Sequence, residues 1–371
     1  MTRPRRAHRD RGFSPAAASP APPRRRGLGR LVAVNLLVLA SLIVLVEAGA
    51  RMAAPRDLRS VFNDPQVFIR QRPFVTPHAE RGFALVPGYE QGTIRVNAAG
   101  FRGDDLPADL DRRRVLLALG ESSTFGWGVA DGEDYPTQIH AILDERGYGP
   151  STWVINAGVP SYTSSQVRAY LEELLTRYRP RAVLVSVLWN DALFACIPNW
   201  MPEYLAAQQP SAWRQRLLRY SGLYRALAID PPGAPPSGPV DNEPALDLYA
   251  ENLRAVAGAC RRAGVVLLLL RPSVDPARIP VEGMKIWRRV VAPSDFVALL
   301  DRFVERLEST AEQEGVPVVR HRLCRADSTL SPYFIDPVHL NRVGNRMLAE
   351  DVLRALASEA GMEIAQEDAR P

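Results

Sequence analysis

The sequence predicts an α/β domain of three layers, α/β/α, in which helices cover both faces of a five-stranded parallel sheet. From Arg113 onward, short apolar runs alternate regularly with amphipathic segments of helical period. The runs are apolar at consecutive positions, which indicates strands that are buried on both faces. A regular strand–helix alternation makes the strands parallel, with right-handed crossovers. A long apolar stretch near the N-terminus also predicts one transmembrane helix before this domain.

The composition is that of a globular protein whose basic charge is confined to its first residues. The chain has 371 residues, of which 46% are hydrophobic and 23% are charged. Its net charge at pH 7 is +5, but residues 1–30 alone hold nine arginines and one aspartate. The other 341 residues therefore carry a net charge of −3. A basic tail ahead of a slightly acidic body argues against a nucleic-acid partner.

The stretch 31–50 is the predicted membrane anchor. Its first sixteen residues include only Asn35 and Ser41 as polar side chains, and a spanning helix needs about 20 apolar residues. The nine arginines before it predict a cytoplasmic N-terminus and an extracytoplasmic remainder. The Ala-Gly-Ala sequence at 48–50 also fits a signal-peptide cleavage site, so a secreted protein remains the alternative.

We expect five segments along the chain. They are a basic cytoplasmic tail, the anchor, an accessory juxtamembrane segment, the α/β domain and a C-terminal tail, over residues 1–30, 31–50, 51–112, 113–360 and 361–371. The accessory segment has the alternation and glycine breaks of short strands and turns. An insertion at 195–242 interrupts the α/β domain and is too long for a plain connection. Its aromatic residues, Trp200 and Tyr204 among them, predict a substrate-binding wall, because flat apolar faces stack on sugar rings.

Each strand and helix of the domain has its own local signal. Short apolar runs predict the strands, at 113–120, 152–158, 181–191, 265–272 and 316–321. Segments with apolar residues on one face predict the helices, at 135–149, 165–180, 245–264, 294–315 and 341–361. Glycine or proline ends each helix, since neither residue continues a helix well.

Polar clusters follow the ends of these strands. They are GESST at 120–124, NAGVPSYTS at 156–164, Asn190 with Asp191, and FIDPVHLN at 334–341. In an open parallel sheet the carboxyl ends of the strands form the ligand-binding edge, so we expect the clusters to meet there. Together they contain a serine, an aspartate and a histidine, which are the components of a nucleophilic triad.

The four clusters resemble the sequence blocks of the SGNH, or GDSL, hydrolase superfamily of esterases and lipases. GESS at 120–123 is similar to the G-D-S block, and INAGVPSYTSSQ at 155–166 is similar to the second block. LWND at 188–191 matches most of the third block, G-x-N-D, and DPVH at 336–339 matches the last, D-x-x-H. The resemblance covers residues 113–358 and implies the flavodoxin-like fold and the ester-hydrolase activity of that superfamily.

The resemblance also implies a role for each residue of the site. Ser122 would be the nucleophile, and His339 the general base that later protonates the leaving alcohol. Asp336 would orient the imidazole of His339 and stabilise its charged form. The oxyanion would take hydrogen bonds from the N–H of Ser122, the N–H of Ser161 and the side-chain amide of Asn190.

Three positions depart from the family pattern. Ser161 stands where the second block has glycine, so its N–H serves only if the serine adopts a positive φ, and Gly158 is the alternative donor. Leu188 replaces the glycine of the third block without altering the Asn190 amide. Glu121 replaces the aspartate of the first block, and we expect no chemistry from it.

Several of these polar residues also have simpler interpretations. Ser122, Ser123 and Thr124 are candidates for capping the helix that follows the first strand, and Asn190 and Asp191 are common turn formers. His321 ends the fifth predicted strand and is the competing general base. Arg102 is a candidate either for binding an anionic group of a substrate or for a surface salt bridge.

The three cysteines predict no metal site, and the sequence predicts no cofactor. Cys196, Cys260 and Cys324 are far apart and include no C-x-x-C pair. A phosphate-binding loop of the G-x-x-x-x-G-K type is also missing from the sequence. Outside the cytoplasm two cysteines can form a disulfide. Cys196 and Cys324 are the expected pair because both follow strand ends.

The sequence thus predicts a membrane-anchored serine hydrolase that acts on esters outside the cytoplasm. Its substrate would be an ester-bearing small molecule, lipid or glycan that carries an acyl group such as acetyl. An O-acyltransferase of cell-surface polysaccharide would use the same triad, and a non-catalytic glycan-binding protein would share the fold. The complete triad favours a catalyst, while the sequence alone leaves hydrolase and transferase open.

Overall fold

The computed structural model describes residues 26–53, 73–78, 80–196, 242–286 and 289–359. The chain divides into an N-terminal unit, of which helix α1 (Arg26–Ala53) is described, and a main unit that contains the sheet. Within α1, Gly29–Ala50 has 22 residues, a mean hydropathy of 2.5 and no buried side chains. By length and composition this segment can cross a membrane, a property that it shares with signal sequences.

The strands and helices of the main unit follow in chain order. The strands are β1 (Val75–His78), β2 (Gly82–Leu85), β3 (Glu90–Gln91), β4 (Ile94–Arg95), β5 (Arg114–Gly120), β6 (Thr152–Gly158), β7 (Ala182–Ser186), β8 (Val266–Leu270), β9 (Met284–Ile286), β10 (Arg289–Val291) and β11 (Val318–Val319). The helices are α2 (Ser122–Phe125), α3 (Tyr135–Glu145), α4 (Ser164–Tyr178), α5 (Trp189–Ala195), α6 (Glu243–Ala263), α7 (Pro293–Glu314) and α8 (Arg342–Glu359).

Five parallel strands form the central sheet in the order β11-β8-β7-β5-β6, which confirms the predicted fold class. β5 pairs with β6 on one side and with β7 on the other, so the direction of winding reverses at β5. Gly120 at the end of β5 lies opposite Gly158 of β6 and Ser186 of β7. Three carboxyl ends are therefore level at a switch point, which is where ligands bind in open α/β sheets.

Successive residues of a strand pack into cores on opposite faces of the sheet. Leu117 and Leu119 of β5 lie in the core that includes residues of α4, α6 and α7, whereas Leu116 and Ala118 lie in the core that includes residues of α3 and α8. All four side chains are completely buried. Because helices cover both faces, the strand is apolar at every position after the exposed Arg114, and it appears in the sequence as an apolar run.

The described part of the accessory segment packs into the main unit. Phe74, Phe83 and Phe101 are buried in the same core cluster as residues of α4. The Arg102 N–H donates to the Asn156 carbonyl at 3.2 Å, so this segment pairs with β6 at the edge of the sheet. The segment thereby covers part of an edge whose N–H and C=O groups would otherwise lack partners.

Two strands differ most from the predicted bounds. The third ends at Ser186 rather than at Asp191, because the chain turns into helix α5 at Trp189. In the fifth, only Val318 and Val319 have strand conformation. These two residues still pair with β8, so the fifth strand keeps its place at the edge of the sheet.

The disulfide expected between Cys196 and Cys324 is absent, and all three cysteines are thiols. The Cys196 thiol donates to the Ala192 carbonyl at 3.5 Å, within its own helix turn. Cys196 follows β7 and α5, whereas Cys324 follows β11, and β8 lies between these two strands.

Candidate active site

Ser122 begins helix α2 directly beyond the end of β5. A side chain at Gly120 would place its Cβ 2.2 Å from the Ser186 carbonyl oxygen, and one at Gly158 would lie 2.3 Å from the Phe125 nitrogen. Both positions therefore require glycine, which allows strands and helix to approach closely at this turn. The turn holds Ser122 at the carboxyl edge of the sheet, where it is partly exposed.

The three residues of the predicted triad lie in hydrogen-bonding contact. The His339 Nε2 is 2.8 Å from the Ser122 Oγ, and the His339 Nδ1 is 2.6 Å from the Asp336 Oδ2. The His339 side chain is only 12% exposed, so its ring is largely shielded from solvent. This arrangement can pass a proton from the serine to the imidazole while the carboxylate fixes the orientation of the ring.

Asp336 is held by the backbone of its own loop as well as by the histidine ring. Its Oδ1 accepts the N–H of Val338 at 2.9 Å and the N–H of His339 at 2.8 Å. Burial opposes ionisation of this carboxyl, but the hydrogen bond and charge of His339, together with the two N–H donors, lower the pKa of Asp336 overall. Asp336 is therefore suited to remain ionised beside an imidazolium.

His321, which the sequence offered as the competing general base, forms hydrogen bonds with backbone groups through both ring nitrogens. Its Nε2 lies 2.7 Å from the Arg271 carbonyl oxygen, and its Nδ1 accepts the N–H of Leu323 at 3.2 Å. Burial lowers the pKa of His321 to about 4, against the effect of the Arg271 carbonyl. Both ring nitrogens have backbone partners, so neither can accept a proton from a serine without losing a bond.

Ser161 adopts the left-handed backbone conformation that glycine favours, with a φ of 68°. The Tyr162 N–H donates to the Val159 carbonyl at 3.1 Å and closes a β-turn that has Pro160 at its second position. Proline at the second position and a positive φ at the third are features of a type II turn. Among the described residues the Ser161 N–H has no acceptor. Ser161 thus has the conformation that a donor at this position requires.

Asn190 lies in the first turn of α5 and is 7% exposed. Its Nδ2 donates to the Tyr162 carbonyl at 3.0 Å. An amide nitrogen carries two hydrogens, so a second N–H of Asn190 is available for an oxyanion. The bond to Tyr162 connects the third sequence block to the turn of the second.

Glu121 has a structural role that the sequence analysis missed. Its buried carboxyl group accepts the N–H groups of Leu188 at 3.4 Å, Trp189 at 3.1 Å and Asn190 at 3.0 Å. These are the first N–H groups of α5, which lack acceptors within the helix. Burial raises the pKa of Glu121 to about 8, with a further contribution from Asp191 and against the effect of the N–H donors. An acidic residue directly after a wholly apolar strand was the one signal of this role.

Asp191 connects α5 to α4. Its carboxylate accepts the N–H of Ser164 at 2.9 Å and the Ser164 hydroxyl at 2.6 Å. Burial raises the pKa of Asp191 to about 7, although both bonds from Ser164 oppose that rise. The hydrogen bonds of Glu121 and Asp191 therefore connect the start of α5, which carries Asn190, to the end of β5 and to α4.

Arg102 is buried, which contradicts its predicted role in binding an anionic group of a substrate, but the predicted ion pair is present. Its side chain is completely buried, whereas Asp131, which lies 3.5 Å from its Nε, is 32% exposed, so only the arginine of this ion pair is away from the surface. The guanidinium donates to the carbonyls of Thr93 at 2.7 Å and Val129 at 3.2 Å, and it lies 4.6 Å from the Phe125 ring centroid. Arg102 therefore packs against α2, the helix that begins with Ser122.

The predicted aromatic wall, which includes Trp200 and Tyr204, lies outside the described residues. In the described part, Ile335 is an apolar side chain directly beside the triad. It precedes Asp336, is 42% exposed and packs over Gly128, where an added Cβ would lie 3.0 Å from its Cδ1. Ile335 therefore supplies apolar surface next to Asp336 and His339.

Comparison with known protein families identifies the chain. The model of the GDSL-like lipase/acylhydrolase family matches residues 118–347, which is more than half of the chain and includes all three triad residues. The chain belongs to this family. The matched segment of this GDSL-like protein runs from within β5 into α8, so it includes the whole carboxyl edge of the sheet.

Individual proteins resemble this GDSL-like protein over part of a chain or at low sequence identity. The "Thioesterase 1/protease 1/lysophospholipase L1" of Escherichia coli K12 is 33% identical over 91 residues, which are 24% of this chain and 41% of that protein. The chain thus spans less than half the length of this curated relative. Among solved structures, the acetyl xylan esterase AlAXEase is 14% identical with a TM-score of 0.42, over 65% of this chain and 99% of that one. The esterase EstA from Pseudoalteromonas is 14% identical with a TM-score of 0.41, over 67% of this chain and 100% of that one.

Proposed function

We propose that this protein is a serine hydrolase that cleaves carboxylic esters through an acyl-enzyme on Ser122. The observation that carries the proposal is the continuous line of contacts from the Ser122 Oγ to His339 at 2.8 Å and from His339 to Asp336 at 2.6 Å. A serine hydroxyl is a weak nucleophile until a base removes its proton, and His339 is within reach to do so. Membership of the acylhydrolase family supports an ester as the bond that is cleaved.

The reaction has two halves. In the first, the Ser122 Oγ attacks the carbonyl carbon of the ester while its proton moves to the His339 Nε2. The tetrahedral intermediate then collapses, the bond to the alcohol oxygen breaks, and His339 returns the proton to that oxygen. In the second half His339 removes a proton from a water molecule, which attacks the acyl carbon. The bond between that carbon and the Ser122 Oγ then breaks, His339 returns the proton to the Oγ, and the acid leaves. Asp336 stabilises the imidazolium in both halves.

Three N–H donors would stabilise the negative oxygen of each intermediate. They are the backbone N–H of Ser122, the backbone N–H of Ser161 and the second amide hydrogen of Asn190. Ser122 is at the start of α2, where an N–H has no acceptor within the helix. The donors are fixed before the substrate arrives, so little reorganisation is needed when the charge develops.

We propose further that α1 anchors the enzyme with its main unit outside the cytoplasm. The apolar length of Gly29–Ala50 and the nine arginines in residues 1–30 support this orientation. A reporter fused after Pro371 should be active only outside the cytoplasm, and an N-terminal tag should stay in the membrane fraction. A soluble product that starts near Arg51 would show instead that the helix is a cleaved signal peptide.

The substrate class follows from this location. An ester hydrolase held outside the cytoplasm meets acyl esters of glycans, lipids and small molecules, so we propose these as substrates. The name of the Escherichia coli relative adds thioesters to the panel that should be tested. If a bound hydroxyl instead of water attacked the acyl carbon and displaced the Ser122 oxygen, the same triad would act as an O-acyltransferase. Mass spectrometry of free acid against acylated glycan measures this partition.

The nucleophile can be tested directly with a fluorophosphonate probe, which reacts with an activated serine. The probe should label the wild-type protein and should fail to label Ser122→Ala, which should also lose hydrolysis of aryl esters of any chain length. Ser123→Ala is the matched control, because its hydroxyl is the nearest neighbour in sequence and has no partner among the described residues. Labelling that survives in Ser122→Ala but disappears in Ser123→Ala would contradict the assignment.

A further inference from the structure

We propose that Tyr162 is a positioning residue of the oxyanion hole and that the hairpin β1–β2 holds it in place. The inference rests on the proposed ester-hydrolase function and concerns how two of the three oxyanion donors are aimed. Tyr162 follows Ser161 directly, and its backbone contacts both the turn that carries Ser161 and the side chain of Asn190. The accessory segment would thereby become part of the catalytic machinery.

The backbone of Tyr162 connects two donors that belong to different sequence blocks. Its N–H donates to the Val159 carbonyl at 3.1 Å and closes the turn around Ser161. Its carbonyl accepts a hydrogen from the Asn190 Nδ2 at 3.0 Å. A displacement of Tyr162 therefore changes the direction of the Ser161 N–H and of the Asn190 amide together.

The side chain of Tyr162 is anchored in the accessory hairpin. It is completely buried, and its hydroxyl donates to the Phe83 carbonyl of β2 at 2.6 Å. The Arg81 guanidinium, from the loop between β1 and β2, donates to the same hydroxyl at 3.4 Å. The rings of Tyr162 and Phe83 pack edge to face at 5.2 Å. The hairpin in turn is bound to α4, since the Gln166 side chain donates to the Arg81 carbonyl at 3.1 Å.

Such an anchor is needed because Ser161 has an unfavourable backbone conformation. A φ of 68° is common for glycine, whereas an ordinary residue at such an angle is strained. A serine turn without support would tend to relax, and relaxation would turn its N–H away from the oxyanion. The hydrogen bond and packing of the Tyr162 side chain oppose that relaxation. This explains how the chain tolerates serine where the family pattern has glycine.

The test combines Tyr162→Phe with Ser161→Gly in the full chain. Tyr162→Phe should lower kcat for aryl ester hydrolysis about tenfold, since one hydrogen bond of about 1.4 kcal/mol corresponds to that factor. KM should change less than about twofold, because the donors act mainly in the transition state. Phenylboronic acid, which forms a tetrahedral adduct with an activated serine, should bind about tenfold more weakly. Tyr178→Phe is the control, because its buried hydroxyl has no partner among the described residues.

The Ser161→Gly background distinguishes a positioning role of Tyr162 from a general effect of its packing. Glycine adopts a positive φ without strain, so in the Ser161→Gly background Tyr162→Phe should lower kcat by less than about threefold. Equal losses of kcat in both backgrounds, or a loss that is confined to KM, would overturn the proposal. If Tyr162→Phe does not fold, Arg81→Met removes a donor to the same hydroxyl and should lower kcat a few-fold in the serine background only.

The outcome for Ser122 distinguishes the two proposals. If Ser122→Ala keeps the esterase activity, the proposed function fails and the inference about Tyr162 fails with it. If activity depends on Ser122 but Tyr162→Phe hydrolyses esters and binds phenylboronic acid like the wild type, only the positioning role of Tyr162 is refuted.

Discussion

Replacing Glu121 with glutamine should remove a pH dependence from the stability of this protein. Burial raises the pKa of the Glu121 carboxyl from its ordinary 4.5 to about 8 in the folded state. The folded protein therefore holds this proton more tightly than the unfolded chain does. Its contribution to stability is fully present below about pH 4.5 and is lost as the pH rises towards about 8.

The size of the effect follows from that shift. One pKa unit corresponds to about 1.4 kcal/mol of free energy. Between about pH 5 and about pH 8, ionisation of Glu121 should therefore lower the free energy of unfolding by on the order of 3 kcal/mol. Glutamine has nearly the same size and does not titrate, so the Glu121→Gln variant should not lose this free energy of unfolding. Between about pH 5 and about pH 8 its stability should therefore rise by about this much relative to that of the wild type.

The assay is urea unfolding of the full chain in detergent, followed by intrinsic fluorescence at several pH values. Glu172→Gln is the matched control, because this residue is exposed on α4 and its variant should keep the slope of the wild type. Parallel stability curves for the wild type and Glu121→Gln would refute the reasoning. They would mean that the three N–H donors to Glu121 keep it ionised in the folded protein in spite of its burial.

The other predictions concern the proposed general base, His339, and the turn before Ser122. His339→Ala should lower kcat about as much as Ser122→Ala, because triad residues act as a unit. His321→Ala should keep kcat close to the wild type, and the opposite pattern in ester hydrolysis would reassign the base. Gly120→Ala should lower the free energy of unfolding by about 1–3 kcal/mol, because its Cβ would lie 2.2 Å from the Ser186 carbonyl oxygen. An unchanged unfolding midpoint would contradict that argument.

The sequence by itself determined the sheet and the three residues that meet in the candidate triad. Consecutive apolar residues such as Leu116–Leu119 indicate burial on both faces, because an exposed face would require polar residues at every second position. Parallel strands end at one edge, so polar residues after those ends converge there. The D-x-x-H spacing is also local, since Asp336 accepts the N–H of His339 three residues later within the same loop.

Other features were decided only by the tertiary structure. Glu121 accepts N–H groups that are 67 to 69 residues further along the chain, and this contact starts α5 where the apolar pattern predicted more strand. Arginine is usually an exposed residue, yet packing of the accessory segment against β6 buries Arg102.

The expected Cys196–Cys324 disulfide was also wrong. Both residues are thiols, and β8 lies between the strands that precede them. Residue type and local periodicity can be read from the sequence, and they predict the individual strands and helices. Which distant groups meet depends on how the completed elements pack, since only packing brings residues from separate parts of the chain within hydrogen-bonding distance.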